Sequence, residues 1–162
     1  MKILRGILAI VVGWIATVPV IMGTEMATFV MYAGDGQKSL TERMEELQND
    51  EAAARAFYES LPEQARVTVL VGWELGAFIG GAIAALIAGR RRVLAAGIVG
   101  TLVLAGTIQN ALLLKHKIGF AHPDWMIIAG LLLPLPASLL AGKIVSWLVP
   151  APAAPMTSVD DS

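Results

Sequence analysis

Two carboxylates stand inside apolar sequence. Glu25 falls within residues 6–32 and Glu74 within residues 67–88. Two amides, Gln109 and Asn110, come late in a third apolar run, residues 93–114. Ionisable side chains in hydrocarbon are costly, and they mark ion, proton or substrate sites or pair with one another. If the two acids adjoin in a low-dielectric layer, they share a proton, and the layer can hold a cation, a proton or a small polar solute. The alternative is structural. Acids and amides can bond across helices and lock their register, at about 1 kcal/mol or less per bond. Both readings stay open at this point.

Other chemistry is poorly supported. His116, His122 and Asp124 are of types that bind zinc or copper, but their spacing matches no standard metal motif. His122-Pro123 suits the start of a helix, which Asp124 could cap. The seven methionines are dispersed, and there is no cysteine. No serine or cysteine nucleophile with a positioned histidine, phosphate loop or helical histidine pair is recognisable. Gly76-Ala77-Phe78-Ile79-Gly80-Gly81 superficially resembles a glycine-rich loop, yet it lies inside an apolar run. No enzymatic activity, metal or cofactor is expected.

The elements that must position these groups are apolar helices. The chain of 162 residues is 56% hydrophobic and 15% charged, with mean hydropathy +0.69. A helix needs about 20 apolar residues to cross a bilayer. Four such spans are expected, at residues 6–32, 67–88, 93–114 and 125–149, in an all-α polytopic membrane bundle. The second organises the rest. Gly72, Gly76, Gly80, Ala84 and Ala88 recur at every fourth position and form one row along it. Ala77, Gly81 and Ala85 form a second row on roughly the opposite side, together with Glu74 and Phe78. Small residues let neighbouring helices approach closely in lipid, so this span belongs in the middle of the bundle. Gly97, Gly100 and Gly106 offer close-approach positions on the third. Pro19 is expected to kink the first span, and Pro134 and Pro136 to break the fourth. Trp14 and Trp73 read as packing residues, and Trp125 and Trp147 as interfacial anchors.

A basic start followed by an apolar run is also the pattern of a signal peptide. Here the run is longer than a usual signal core and no clean A-x-A site follows, so it reads as the first span.

Residues 34–66 are rich in charge and form a short amphipathic outer segment. Gly34-Asp35-Gly36 is a turn signal. Ser39-Leu40-Thr41-Glu42 and Ser60-Leu61-Pro62-Glu63 both fit capping boxes. Leu40, Met44 and Leu47 would share one face of a first short helix. Asn49 or Asp50 would cap a second, with Ala53, Phe57 and Leu61 as its apolar side. Residues 150–162 read as a disordered tail.

Four spans put both termini beside the Arg90-Arg91-Arg92 turn, with Lys2, Arg5 and Lys143. The positive-inside rule makes that side cytoplasmic. Glu25, Glu74, Gln109 and Asn110 then share one depth below the outer face. The net charge of -1 argues against a nucleic-acid partner. The expected partners are the lipid bilayer and a second copy or another membrane protein.

Together, Glu25, the stretch Trp73-Glu74-Leu75-Gly76-Ala77-Phe78-Ile79-Gly80-Gly81, Asn110 and His122-Pro123-Asp124-Trp125 resemble short bacterial integral membrane proteins of unassigned activity. The resemblance covers about residues 3–145. It implies four spans in a bacterial inner membrane with a recurring outer polar layer, and it implies no reaction. Those proteins usually have a shorter, less charged outer segment. The expectation is a binding or permeation module for a proton, cation or small polar solute. The alternative is an accessory subunit that docks partners through its acidic segment.

Overall fold

The computed structural model describes residues 2–32 and 39–150. Every regular element among them is helical: α1 (Lys2–Tyr32), α2 (Leu40–Asn49), α3 (Glu51–Ser60), α4 (Glu63–Ala88), a 3-10 turn (Gly89–Arg91), α5 (Arg92–Ile118), α6 (Asp124–Leu132) and α7 (Pro134–Leu148). Three helical stretches, Ile3–Tyr32, Glu63–Ile118 and Asp124–Leu148, are long and apolar enough to cross a membrane. The middle one joins α4 to α5 through the turn, where Gly89 has φ +72°, a conformation favouring glycine. The two helices then pack against each other, with Ala84 against Ala95 and Val99.

α4 sits centrally, in contact with α1, α5, α6 and α7. Its two rows of small residues meet different neighbours. A Cβ placed on Gly76 would lie 2.7 Å from Ile21 of α1, and one on Gly81 would lie 2.9 Å from Ser138 of α7. Gly72 and Gly80 abut Thr24 and Thr17 in the same way. α1 answers with its own small face of Ala9, Gly13, Thr17, Thr24 and Thr28. Thr17 is fully buried, and its hydroxyl is 3.0 Å from the Gly13 carbonyl and 3.2 Å from that of Gly76. A bond across helices in lipid contributes about 1 kcal/mol or less. Hence α1 and α4 are held mainly by close packing. On α5, Gly97 meets Leu139, Gly100 meets Ser138 and Gly106 meets Trp14.

Several local expectations change. α1 is a single helix with Pro19 inside it. The fourth apolar stretch does break, at Leu133, and Pro134 opens α7 in the first-turn position where its missing N–H costs little. The Ser39–Glu42 capping box forms. The Ser60–Glu63 box does not. Ser60 ends α3 and donates back to the Phe57 carbonyl at 2.8 Å, while Pro62 precedes α4 without a side-chain cap. Asp50 caps α3 by accepting from Ala52 and Ala53 at 2.9 and 3.0 Å. Asp124 is the first residue of α6 instead of its cap; Pro123 holds the cap position.

α3 buries Ala54 and Phe57, whereas Met44 of α2 is exposed and Leu47 half-buried. The turn at Gly34-Asp35-Gly36 and residues 151–162 of the tail lie outside the described residues. At the other end of the bundle the arginines divide. Arg92 is buried and donates to the carbonyls of Val149 and Pro150 past the end of α7. Arg5 donates to Ile87 near the end of α4 at 2.6 Å. Cations favour helix C-termini, where carbonyls lack partners. Arg90 and Arg91 remain exposed.

Candidate functional site

At the α3 end of the bundle the helices part around a cavity of about 170 Å³. α1 contributes Glu25, Thr28 and Phe29; α3 contributes Phe57 and Tyr58; α4 contributes Arg66, Val69 and Trp73; α5 contributes Asn110 and Leu114. Phe120 and His122 of the α5–α6 connection and Met126 of α6 complete the wall with Leu61. Half of the chain's phenylalanine, tyrosine and tryptophan residues thus line one small space.

The aromatics pack in sequence around it. Phe57 meets Phe29 edge-on at 5.6 Å and Tyr58 at the same distance. Tyr58 stacks on Phe120 at 5.2 Å, and Phe120 meets His122 edge-on at 5.3 Å. His122 in turn meets the Trp73 ring at 5.9 Å. Through Phe57 and Tyr58, α3 becomes a roof over the ends of the longer helices.

The polar groups are less completely satisfied. Trp73, 4% exposed, donates its indole N–H to Glu25 Oε1 at 2.9 Å. Arg66 reaches the carbonyls of Tyr58 and Glu59 with one terminal nitrogen, at 3.4 Å each. Its Nε is buried without a partner, as are both ring nitrogens of His122. Neither Glu25 nor Arg66 has an ion-pair partner among the described residues. Buried polar atoms are normally hydrogen-bonded, so orphaned ones call for an explanation such as a ligand. Burial, and then the charge of Arg66, hold the His122 pKa below 6.5. Burial, and then the charge of Glu25, push the Tyr58 phenol above 10.0. Both rings are therefore neutral near pH 7. The neutral imidazole offers one donor and one acceptor.

A second cavity of about 330 Å³ lies beside the first, between α5 and α6. Trp73, His122 and Met126 are walls of both. Its remaining lining is mostly apolar, with Lys115 and Asp124 among it.

Of the four residues expected to form one layer, the cavity brings together Glu25 and Asn110. Gln109 is exposed. Glu74 does not line either cavity. Successive helical residues are turned by about 100°, so Trp73 reaches Glu25 while Glu74 lies on the side of Gly81 and Ala85, towards α7. Its carboxylate oxygens are buried there without a hydrogen-bond partner. His116 is exposed. Among the described residues no group of three or more metal-ligating side chains occurs.

Sequence reasoning missed Arg66, Tyr58 and Phe120 as site residues and treated Trp73 as packing alone. The available signal was compositional. Phe57-Tyr58 and Phe120-Ala121-His122 place aromatic pairs in the two connections on the same side as Glu25. Comparison of the chain with family models, curated proteins and solved structures gives no match.

Proposed function

We propose that this is a multi-pass membrane protein that binds a small polar solute in the cavity roofed by α3. In this reading α1, α4, α5 and the α6–α7 pair each cross the bilayer, forming a four-span bundle. Both termini face the cytoplasm and the roof lies outside, a reading supported by the positive-inside rule applied to the arginine turn. The observation that carries the proposal is the set of buried, unpartnered polar atoms on Arg66 and His122 around one small space. A cavity lined only for packing has no use for them.

Binding is favoured over permeation. Below the cavity Gly72, Gly76 and Gly80 bring α4 against the small face of α1. A continuous path along that seam would require these helices to separate.

Thermal unfolding in nanodiscs against a broad panel of small polar solutes tests the reading. A ligand that binds only the folded protein raises the melting temperature with concentration. At least one solute should do so in the wild type and lose the effect in Asn110→Phe, which fills the wall. Equal shifts in both proteins, or none in either, would sink the reading. The second result would favour an accessory subunit that docks partners through the acidic segment, with α2 carrying exposed Glu45 and Met44 on its surface.

A further inference from the structure

Glu25 and Arg66 face one cavity with opposite charges, and no ion pair joins them. The Trp73 N–H occupies one oxygen of Glu25 and leaves Oε2 available. Arg66 spends one nitrogen on two long contacts to α3 and keeps Nε unpartnered. A lone cation in the cavity would answer Glu25 and leave Arg66 uncompensated. A lone anion would do the reverse. Removing a charge from water without a partner costs several kcal/mol, so one molecule bearing both signs is the better complement.

The remaining walls fit the two ends of such a molecule. Aromatic faces attract ammonium groups, most strongly when desolvated. Phe29 and Phe57 stand with Tyr58 and Trp73 around the Glu25 cavity. His122, with both ring nitrogens buried and open, adds a neutral donor for an anionic end near Arg66. Size narrows the class. A cavity of about 150 Å³ admits benzene, so about 170 Å³ suits a ligand of about six to ten non-hydrogen atoms.

Resting on the binding reading above, we infer that the ligand is a small zwitterion, an α-amino acid or N-methylated betaine, with its ammonium at Glu25 and its carboxylate at Arg66 and His122. The inference explains why an acid and a base share a space this small without neutralising each other.

The test is calorimetric titration of the full-length protein in nanodiscs with glycine betaine and L-proline. Choline serves as the cation-only comparator and propionate as the anion-only one. At least one zwitterion should bind saturably, with both comparators about tenfold weaker or more, the scale of a lost charge-assisted hydrogen bond. Glu25→Gln keeps an acceptor for Trp73 and should reduce zwitterion affinity by a similar factor, as should Arg66→Gln. Choline or propionate binding as tightly as the zwitterions would overturn the inference and leave the cavity a binding site. Binding of neutral solutes alone would do the same. Absence of binding by every solute in this set and in the broad panel would end both readings.

Discussion

At the scale of the residue, His122 makes the site sensitive to protons. Burial is the larger reason that its pKa falls below 6.5, and the Arg66 charge the smaller. Glu25 and Tyr58 line the first cavity with it, and Lys115 and Asp124 the second. Because the folded value lies under the unfolded one, the unfolded chain binds the proton more readily. Stability is therefore complete above the unfolded pKa and is lost as pH falls from it towards the folded value. Unfolding midpoints measured between about pH 7.5 and about pH 5.5 should fall in the wild type, and fall less in His122→Gln. Equal losses would mean that His122 titrates as it does in water.

Residue chemistry was only partly legible in the sequence. Glu25 and Asn110 stood out because polar groups are rare in apolar runs, and both line the cavity. Glu74 stood out for the same reason, and helical spacing put it on the side of Gly81 and Ala85, but not which neighbouring helix that side would meet. One residue of rotation separates it from Trp73 and puts it towards α7. Arg66 and Tyr58 were hidden by the opposite circumstance, since charge and aromatic character are unexceptional in a polar connection. Only the folding of α3 over the helix ends gives them a role.

At the scale of the element, packing of α4 depends on the absence of side chains at particular positions. The row of small residues at every fourth place was legible because nothing else makes such regularity. Its counterpart on α1 was not, because Thr17, Thr24 and Thr28 are polar residues within an apolar run. In fact their hydroxyls donate within α1, to Gly13, Val20 or Ile21, and Thr24, leaving a compact face for α4. The arrangement separates two glycines of the same residue type. A Cβ on Gly81 would lie 3.0 Å from both the Cα and the carbonyl oxygen of Ser138, which are backbone atoms. A Cβ on Gly23 would meet nothing within 4 Å. Alanine gains about 1 kcal/mol over glycine in a helix interior, whereas overpacking costs about 1–3 kcal/mol. Thermal or denaturant unfolding should thus show Gly81→Ala destabilised and Gly23→Ala unchanged or stabilised. Equal effects would mean that the α4–α7 contact is looser than this geometry.

At the scale of the whole molecule, the decisive quantity is how often the chain crosses. Glu63–Ile118 is 56 residues long, and as one straight helix it would extend about 84 Å. That is more than twice the thickness of the hydrocarbon layer, about 30 Å. The turn at Gly89–Arg91 divides it into two lengths that each match the layer and pack together. In the proposed four-span reading, two crossings would return the α5–α6 connection to the side of α3, consistent with Phe120 and His122 meeting Tyr58 and Trp73. In the proposed orientation the exposed Arg90 and Arg91 would supply the positive-inside signal, while Arg92 and Arg5 are engaged with backbone carbonyls at helix ends. Because the chain has no cysteine, single cysteines can report this threading without background. Ser60→Cys and His116→Cys, both at exposed positions, should react with an impermeant maleimide in intact cells. Arg91→Cys should react only after the membrane is opened. Reaction of Ser60→Cys and His116→Cys from opposite sides would reduce α4 and α5 to one crossing and pull the two halves of the cavity wall apart. A wholly inverted pattern would keep the four crossings but turn the cavity towards the cytoplasm, and the solute would then be drawn from the cell interior.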